Sequence, residues 1–327
     1  MKKKLSKFLQ IAIPLGLGIF LIWYVYSNFT EEQLEDLKTY FKNADYGYVL
    51  LAVSLSIFSH ISRAYRWLFM LEPLGYKPKL ANNFMTISVA YLMNIFIPKS
   101  GEVSRGILMS RYENVPFDKG FGTIISERVV DLIFLLAFTA LAISLKYDIL
   151  YTYVTELIPV QKLLILGGAG LVFLVIGYLL LKYLKLAVVL KIRDFITGLK
   201  DGVMSIWTMK KKGAFIFHTF LIWGLYVLSF YTATQALEAT SSIPFSTLII
   251  AFVVGSFTFD FTNSGFGTYP AAVAGILALF AVEFTLGTAF GWIVWTSNIA
   301  AILIIGTTSL IVLPSYNKRR VTKEKAQ

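Results

Sequence analysis

Apolar residues fall into runs of two lengths, and these lengths predict two kinds of membrane-embedded element. A helix that crosses a bilayer needs about 20 apolar residues, with a range of about 17–25. Runs on that scale predict full spans over residues 8–26, 48–71, 129–145, 163–181, 215–236 and 288–313. Two further regions, residues 82–128 and 243–284, hold shorter apolar runs interrupted by polar residues, glycine and proline. We expect these two regions to form broken or re-entrant helical hairpins.

The first broken region leads into a strongly charged stretch, residues 94–131. An apolar arm over residues 82–98 ends at Pro98, and residues 106–112 are expected to belong to its return. In lipid, a broken and charged backbone is tolerated only where protein or a water-filled cavity surrounds it. We therefore interpret residues 94–131 as the centre of a binding site.

The second broken region repeats this plan with far less charge. Apolar arms over residues 245–259 and 271–284 flank a polar break at residues 260–270. Gly265 and Gly267 predict a tight turn. They do not indicate a phosphate loop, because no strand and no P-loop lysine accompany them. Asp260 is a functional candidate because it is an acid inside an apolar segment, and the alternative is a cap for the second arm.

The order of these elements predicts an inverted repeat within one transmembrane domain, residues 1–327. Each half reads span, span, hairpin, span, over residues 8–145 and 163–313, and transporters often use this plan. The two hairpin tips should then meet near the midplane. If both hairpins instead cross fully, the count of spans becomes ten, and the sides of the termini stay the same.

The distribution of basic residues orients the chain. With both termini in the cytoplasm, all but four of the 30 Lys and Arg residues lie on the cytoplasmic side or at its edge, as the positive-inside rule requires. We expect a cell inner membrane location. Residues 185–212 combine helical apolar spacing with a basic face, which predicts a helix lying in the membrane interface.

Composition sets the class of protein and excludes several chemistries. The chain is 57% hydrophobic and 16% aromatic, which indicates an integral membrane protein of the all-α class. It has no cysteine and two histidines, so thiolate chemistry is excluded and a histidine-rich metal centre is not expected. We expect no cofactor, no nucleic-acid partner, and membrane lipids, above all anionic ones, as ligands.

Arginines in the apolar segments are the main candidates for holding a lipid phosphate, because the guanidinium is a permanently charged, planar fork. For Arg63 and Arg66, the alternatives are snorkelling to the interface or pairing with Glu102 or Glu127. Glu102 is expected to balance Arg105 or to occupy free backbone N–H groups at the hairpin tip. The candidate headgroup-binding residues are Arg63, Arg66, Asn94, Pro98, Gly101, Glu102, Arg105, Glu127, Arg128, Asp131, Asp260, Asn263, Gly265 and Gly267.

Four motifs carry a family resemblance that covers nearly the whole chain. They are RAYRW from Arg63, Asn94 with PKSGEVSR from Pro98, ERVVD from Glu127, and GFG from Gly265. Together they resemble the lysylphosphatidylglycerol synthase transmembrane-region family, the flippase-like membrane domain of the bacterial multiple peptide resistance factor. The resemblance implies a stand-alone integral membrane protein with a flippase-like fold. The family's late motif often ends in an acid, and Pro270 stands at that position here.

The expected function is binding, and translocation, of an anionic or phosphate-bearing lipid. Residues 314–327 follow the last predicted span, so the aminoacyl-transferase activity of the resistance factor is not expected. No nucleophile–base arrangement supports an enzyme. Two alternatives stay open: a non-transporting membrane partner or assembly subunit, and an enzyme acting on a lipid-linked substrate. Homo-oligomers are left open as well.

Overall fold

The computed structural model describes Gly16, residues 19–157, scattered positions from 168 to 179, and residues 209–324. Residues 19–27 are helical. The helices with described bounds are α1 (Glu31–Asn43), α2 (Tyr46–Leu71), α3 (Leu80–Phe96), α4 (Ser100–Glu113), α5 (Phe117–Leu145), α6 (Tyr147–Leu157), α7 (Lys212–Thr234), α8 (Glu238–Ser241), α9 (Phe245–Phe261), α10 (Thr268–Ala278) and α11 (Phe284–Glu324). Within these described residues there is no strand, so the chain is an all-α polytopic membrane protein.

Four helices are long and apolar enough to cross a membrane within the described ranges, namely α2, α5, α7 and α11. They correspond to the spans predicted over residues 48–71, 129–145, 215–236 and 288–313. The span predicted over residues 163–181, the interfacial helix over 185–212 and most of the span over 8–26 lie outside the described residues.

The predicted start of the span over residues 129–145 is wrong. α5 begins at Phe117, well before residue 129, so Glu127, Arg128 and Asp131 lie inside a continuous helix. Residues 117–145 contain no proline, and the charges at 127 and 131 are buried in ion pairs that the hydropathy pattern does not reveal.

The polar segment before α2 forms a surface helix, α1, with a complete cap at its first turn. The Thr30 hydroxyl accepts a hydrogen bond from the Gln33 backbone at 3.2 Å, and the Gln33 side chain accepts one from the Thr30 backbone at 3.0 Å. This is a complete capping box. Tyr40 on α1 donates to Glu283 just before α11. Burial and the Glu283 carboxylate raise the pKa of Tyr40, so the phenol keeps its proton for this contact.

The first broken region is a helical hairpin of α3 and α4, with 17 and 14 residues. Both arms are shorter than the roughly 20 residues of a full span. The return arm contains the predicted residues 106–112 and begins at Ser100, because Asn94 Oδ1 accepts a hydrogen bond from the Gly101 N–H at 2.7 Å and allows the helix to start directly after the turn. Gly101 also permits close packing, since a Cβ there would lie 2.2 Å from the carbonyl oxygen of Ala90.

The second broken region is a hairpin of α9 and α10, with 17 and 11 residues. Its turn contains Gly265 and Gly267 with φ of +74° and +70°, which confirms the predicted tight turn. The two tips touch, as the inverted arrangement predicts. Lys99 Nζ donates to the Asp260 carbonyl oxygen at 2.5 Å, and Asn263 Nδ2 donates to the Ile95 carbonyl oxygen at 3.2 Å.

The apolar core has two main parts that hold the hairpins in place. The larger part joins α7, α9, α10 and the first half of α11, with Phe252 and Phe290 among its buried residues. The smaller part surrounds Trp67 near the end of α2 and includes Met109 of α4 and Ile124 of α5. The charged residues of the candidate site lie between these two parts.

Candidate functional site

Five charged side chains form a buried ion cluster between α2, α4 and α5. Arg63 and Arg66 are separated by three residues on α2, and Glu127 and Asp131 by four on α5, so each pair projects from one helical face. Arg63 Nη1 contacts Glu127 Oε1 at 2.5 Å and Asp131 Oδ2 at 2.6 Å. Arg66 Nη2 contacts Asp131 Oδ1 at 2.9 Å and Glu127 Oε1 at 3.3 Å. Arg105 of α4 completes the cluster through Glu127 Oε2 at 2.9 Å.

Direct ion pairs use every carboxylate oxygen of the cluster. All four carboxylate oxygens of Glu127 and Asp131 accept from arginine nitrogens, and the five residues are buried. Burying charges is costly unless they are paired and hydrogen-bonded. Trp67 supports the cluster, because its ring centre lies 3.7 Å from the Arg105 guanidinium carbon and its Nε1 donates to Thr123 at 2.8 Å.

Arg128 makes a separate ion pair that is less buried. Its Nη2 lies 3.1 Å from Glu102 Oε1, and the two side chains are 36% and 16% exposed. Adjacent residues on a helix point about 100° apart, so Glu127 faces the buried cluster and Arg128 faces a cavity. The prediction that Glu102 balances Arg105 is wrong, because Arg105 pairs with Glu127 and Glu102 pairs with Arg128.

Two adjoining cavities of about 190 and 180 Å³ lie beside these ion pairs. Both are lined by Tyr91, Arg128, Asp131, Trp223, Phe259, Asp260 and Ile302. The first extends among aromatic side chains of α7, α9 and α11. The second extends to the hairpin tips, where its other lining residues include Asn94, Pro98, Lys99, Glu102 and Ser264. We call these the aromatic cavity and the tip cavity.

The predicted site residues divide into three groups by position. One group lines a cavity and comprises Arg63, Asn94, Pro98, Glu102, Arg128, Asp131 and Asp260. A second group, Arg66, Arg105 and Glu127, lies behind Arg63 and Asp131 and lines neither cavity. The third group, Gly101, Asn263, Gly265 and Gly267, shapes or joins the hairpin turns. Of the alternatives for Arg66, the structure shows pairing with Glu127, not snorkelling.

Asp260 lies in the last turn of α9 and lines both cavities. The residue that caps α10 is Gly267, so the alternative of Asp260 as a cap for the second arm is wrong. Its backbone carbonyl accepts from Lys99, but among the described residues its carboxylate has no hydrogen-bond or ion-pair partner. Asp260 therefore presents a free carboxylate to the cavities.

Sequence reasoning missed the aromatic wall and the role of Lys99. The aromatic cavity is lined by Tyr91, Trp223, Tyr226, Phe252 and Trp295, none of which is among the candidates from the sequence. The available signal was helical spacing, since Trp223 and Tyr226 are three apart on α7. His60 lines the same cavity, and its Nδ1 has no hydrogen-bond partner.

Comparison with known proteins identifies the family. The sequence pattern of the lysylphosphatidylglycerol synthase TM region matches residues 11–321. The chain belongs to this family. A curated relative, the UPF0104 membrane protein MJ1595 of Methanocaldococcus jannaschii, is 29% identical over 157 residues, which is 47% of this chain and 46% of that protein. The match thus spans about half of the relative's length. No solved structure matches the chain.

Proposed function

We propose that this family member binds the phosphate of an anionic lipid headgroup in the two adjoining cavities and translocates that lipid. The observation that carries the proposal is the position of Arg128. It lines both cavities and is 36% exposed, whereas Arg63, which also lines a cavity, is buried and paired with two carboxylates and Tyr226. An accessible guanidinium inside an apolar bundle is suited to phosphate.

The surroundings of Arg128 support a headgroup rather than a metal or a soluble metabolite. Lys99 lines the tip cavity beside Arg128 and brings a second cation. The adjoining aromatic cavity offers apolar walls from Trp223, Phe259 and Tyr91. A charged cavity next to an apolar one matches a lipid, in which a charged headgroup adjoins apolar chains. Within the described residues, no group of three or more His, Cys, Asp or Glu side chains could hold a metal ion.

Movement of the lipid would use the two hairpins. Residues of both tips, Lys99 and Ser264 among them, line the tip cavity, and the Lys99–Asp260 and Asn263–Ile95 hydrogen bonds join the tips. Two hydrogen bonds between separate hairpins can break without unfolding either arm, so the tips provide a site for opening. We propose binding and movement without chemical conversion, in a cell inner membrane with both termini in the cytoplasm, on the strength of the positive-inside bias.

The test is translocation of fluorescent phosphatidylglycerol by the full chain in liposomes, read by quenching of outer-leaflet label. We expect Arg128→Gln to slow translocation at least tenfold, because a charge-assisted phosphate contact contributes about 1.5–3 kcal/mol. Arg111→Gln is the matched control, since Arg111 is exposed at the end of α4 and lines neither cavity. Equal rates for Arg128→Gln and the parent would overturn the proposal.

A further inference from the structure

The Glu102–Arg128 pair differs from the buried cluster in how many of its carboxylate oxygens contact an arginine. In the cluster, every carboxylate oxygen accepts from an arginine. In the Glu102–Arg128 pair a single contact joins Oε1 to Nη2, and Glu102 Oε2 has no hydrogen-bond partner. One contact therefore holds the Glu102–Arg128 ion pair, and its two side chains can exchange partners at a small cost in free energy.

The position of the Glu102 carboxylate is one that favours an anion of any kind. It lies in the first turn of α4, whose N-terminal end carries partial positive charge, and it faces the tip cavity together with Arg128 and Lys99. The Gly101 N–H of that turn is already taken by Asn94. The remaining charged groups that line the tip cavity are Asp131, bound by two arginines, and Asp260.

We propose that Glu102 is a resident anion, which holds Arg128 when the cavity has no lipid and which a lipid phosphate displaces. This inference rests on the proposed function and adds the residue that sets affinity and release. The displaced carboxylate remains near the phosphate and repels it. Glu102 consequently weakens binding and speeds release, so it does not itself hold the headgroup.

The proposal predicts that removing the charge of Glu102 raises the affinity for the lipid. Glu102→Gln keeps the shape of the side chain and removes its competition for Arg128. An exposed ion pair contributes up to about 1 kcal/mol, so we expect dihexanoyl-phosphatidylglycerol to bind about fivefold tighter in isothermal titration of the full chain in detergent. Glu102→Asp shortens the side chain and weakens its contact with Arg128. Its affinity for the lipid should therefore lie between those of the parent and Glu102→Gln. Translocation by Glu102→Gln should slow because release is slower.

The controls separate this inference from the proposed function. Glu72→Gln removes another ion-paired glutamate, 2.9 Å from Lys211 and outside both cavities, and should bind like the parent. Inorganic phosphate as a second probe tests the source of the phosphate, and we expect it to bind much more weakly than the lipid in every variant. Thermal unfolding verifies that each variant is folded.

The possible outcomes are distinct. If binding depends on Arg128 but Glu102→Gln binds no tighter than the parent, the resident-anion role is wrong and the proposed function stands. If neither the parent nor Glu102→Gln shows binding that Arg128→Gln abolishes, both are wrong. If inorganic phosphate binds as tightly as the lipid and Glu102→Gln tightens phosphate binding, Glu102 competes for Arg128 as proposed, but the lipid is not the specific ligand.

Discussion

The guanidinium of Arg105 lies over the indole of Trp67, with its central carbon 3.7 Å from the ring centre. Both side chains are almost fully buried. This contact joins the return arm of the first hairpin to α2, and the hydrogen bond from Trp67 Nε1 to Thr123 extends it to α5. The wall behind the cavities is thus a three-helix unit, and it fixes the cluster that presents Arg63 and Asp131.

The first prediction concerns the relative importance of charges in the buried cluster. Glu127 contacts three arginines, whereas Arg105 contacts one carboxylate. Glu127→Gln leaves three buried arginines with Asp131 alone and should cost about 3–5 kcal/mol or more. Arg105→Met leaves two arginines and two carboxylates, and a flexible apolar side chain on Trp67, so we expect a cost of about 1–2 kcal/mol.

Thermal unfolding of the purified protein in detergent, followed by size-exclusion chromatography, measures this order. Asp131→Asn, which loses contacts to two arginines, should lie between the other two variants. An Arg105→Met variant as unstable as Glu127→Gln would show that stacking on Trp67, rather than charge balance, dominates the cluster.

The second prediction concerns the close packing of the two arms of the first hairpin. A Cβ at Gly101 would lie 2.2 Å from the Ala90 carbonyl oxygen, which is backbone and cannot move aside alone. Gly101→Ala must therefore separate α3 from α4 and should cost at least about 1–3 kcal/mol. It should also weaken lipid binding, since Asn94 and Glu102 line the tip cavity from these arms.

Gly275→Ala is the matched control in the second hairpin. Nothing lies within 4 Å of the added Cβ at Gly275, which is on the exposed side of α10. Alanine is about 1 kcal/mol better than glycine within a helix, so this variant should be as stable as the parent or more so. Equal melting temperatures for the two variants would contradict the tight packing at Gly101.

The third prediction separates the backbone and the side chain of Lys99. This residue has a left-handed backbone with φ of 60° and also donates to the Asp260 carbonyl oxygen. Lys99→Ala and Lys99→Gly both remove the ammonium, so both should increase hydrogen exchange at the two tips. Only glycine relieves the backbone strain, and it should be more stable than the alanine variant by about 1 kcal/mol.

Hydrogen exchange read by mass spectrometry over residues 94–100 and 258–268 measures the opening of the tips. Residues 31–43 of the surface helix α1 serve as an internal reference that should not change. Tips that stay protected in both variants would show that the Asn263–Ile95 contact alone holds them together.

The sequence predicts the broken helices of the site but not the pairing of its charges. The broken arms, the tight turn at Gly265 and Gly267, and the meeting of the two tips follow from run length and glycine or proline positions. The pairing of charges does not follow from them. Glu102 and Arg105 are neighbours on one helical face by spacing, yet each finds its partner on α5, because packing with α2 and α5 offers closer opposite charges.

The sequence by itself determined the membrane class, the long spans outside the charged region, the two broken hairpins and the set of charged residues near the site. These depend on the cost of placing polar groups in lipid, which is local and additive along the chain. Only the tertiary structure decided which arginines are buried in the ion cluster and which one, paired with Glu102, lines both cavities. That choice depends on helix rotation and on distances of a few ångströms between helices far apart in sequence, and it leaves Arg128 as the accessible guanidinium.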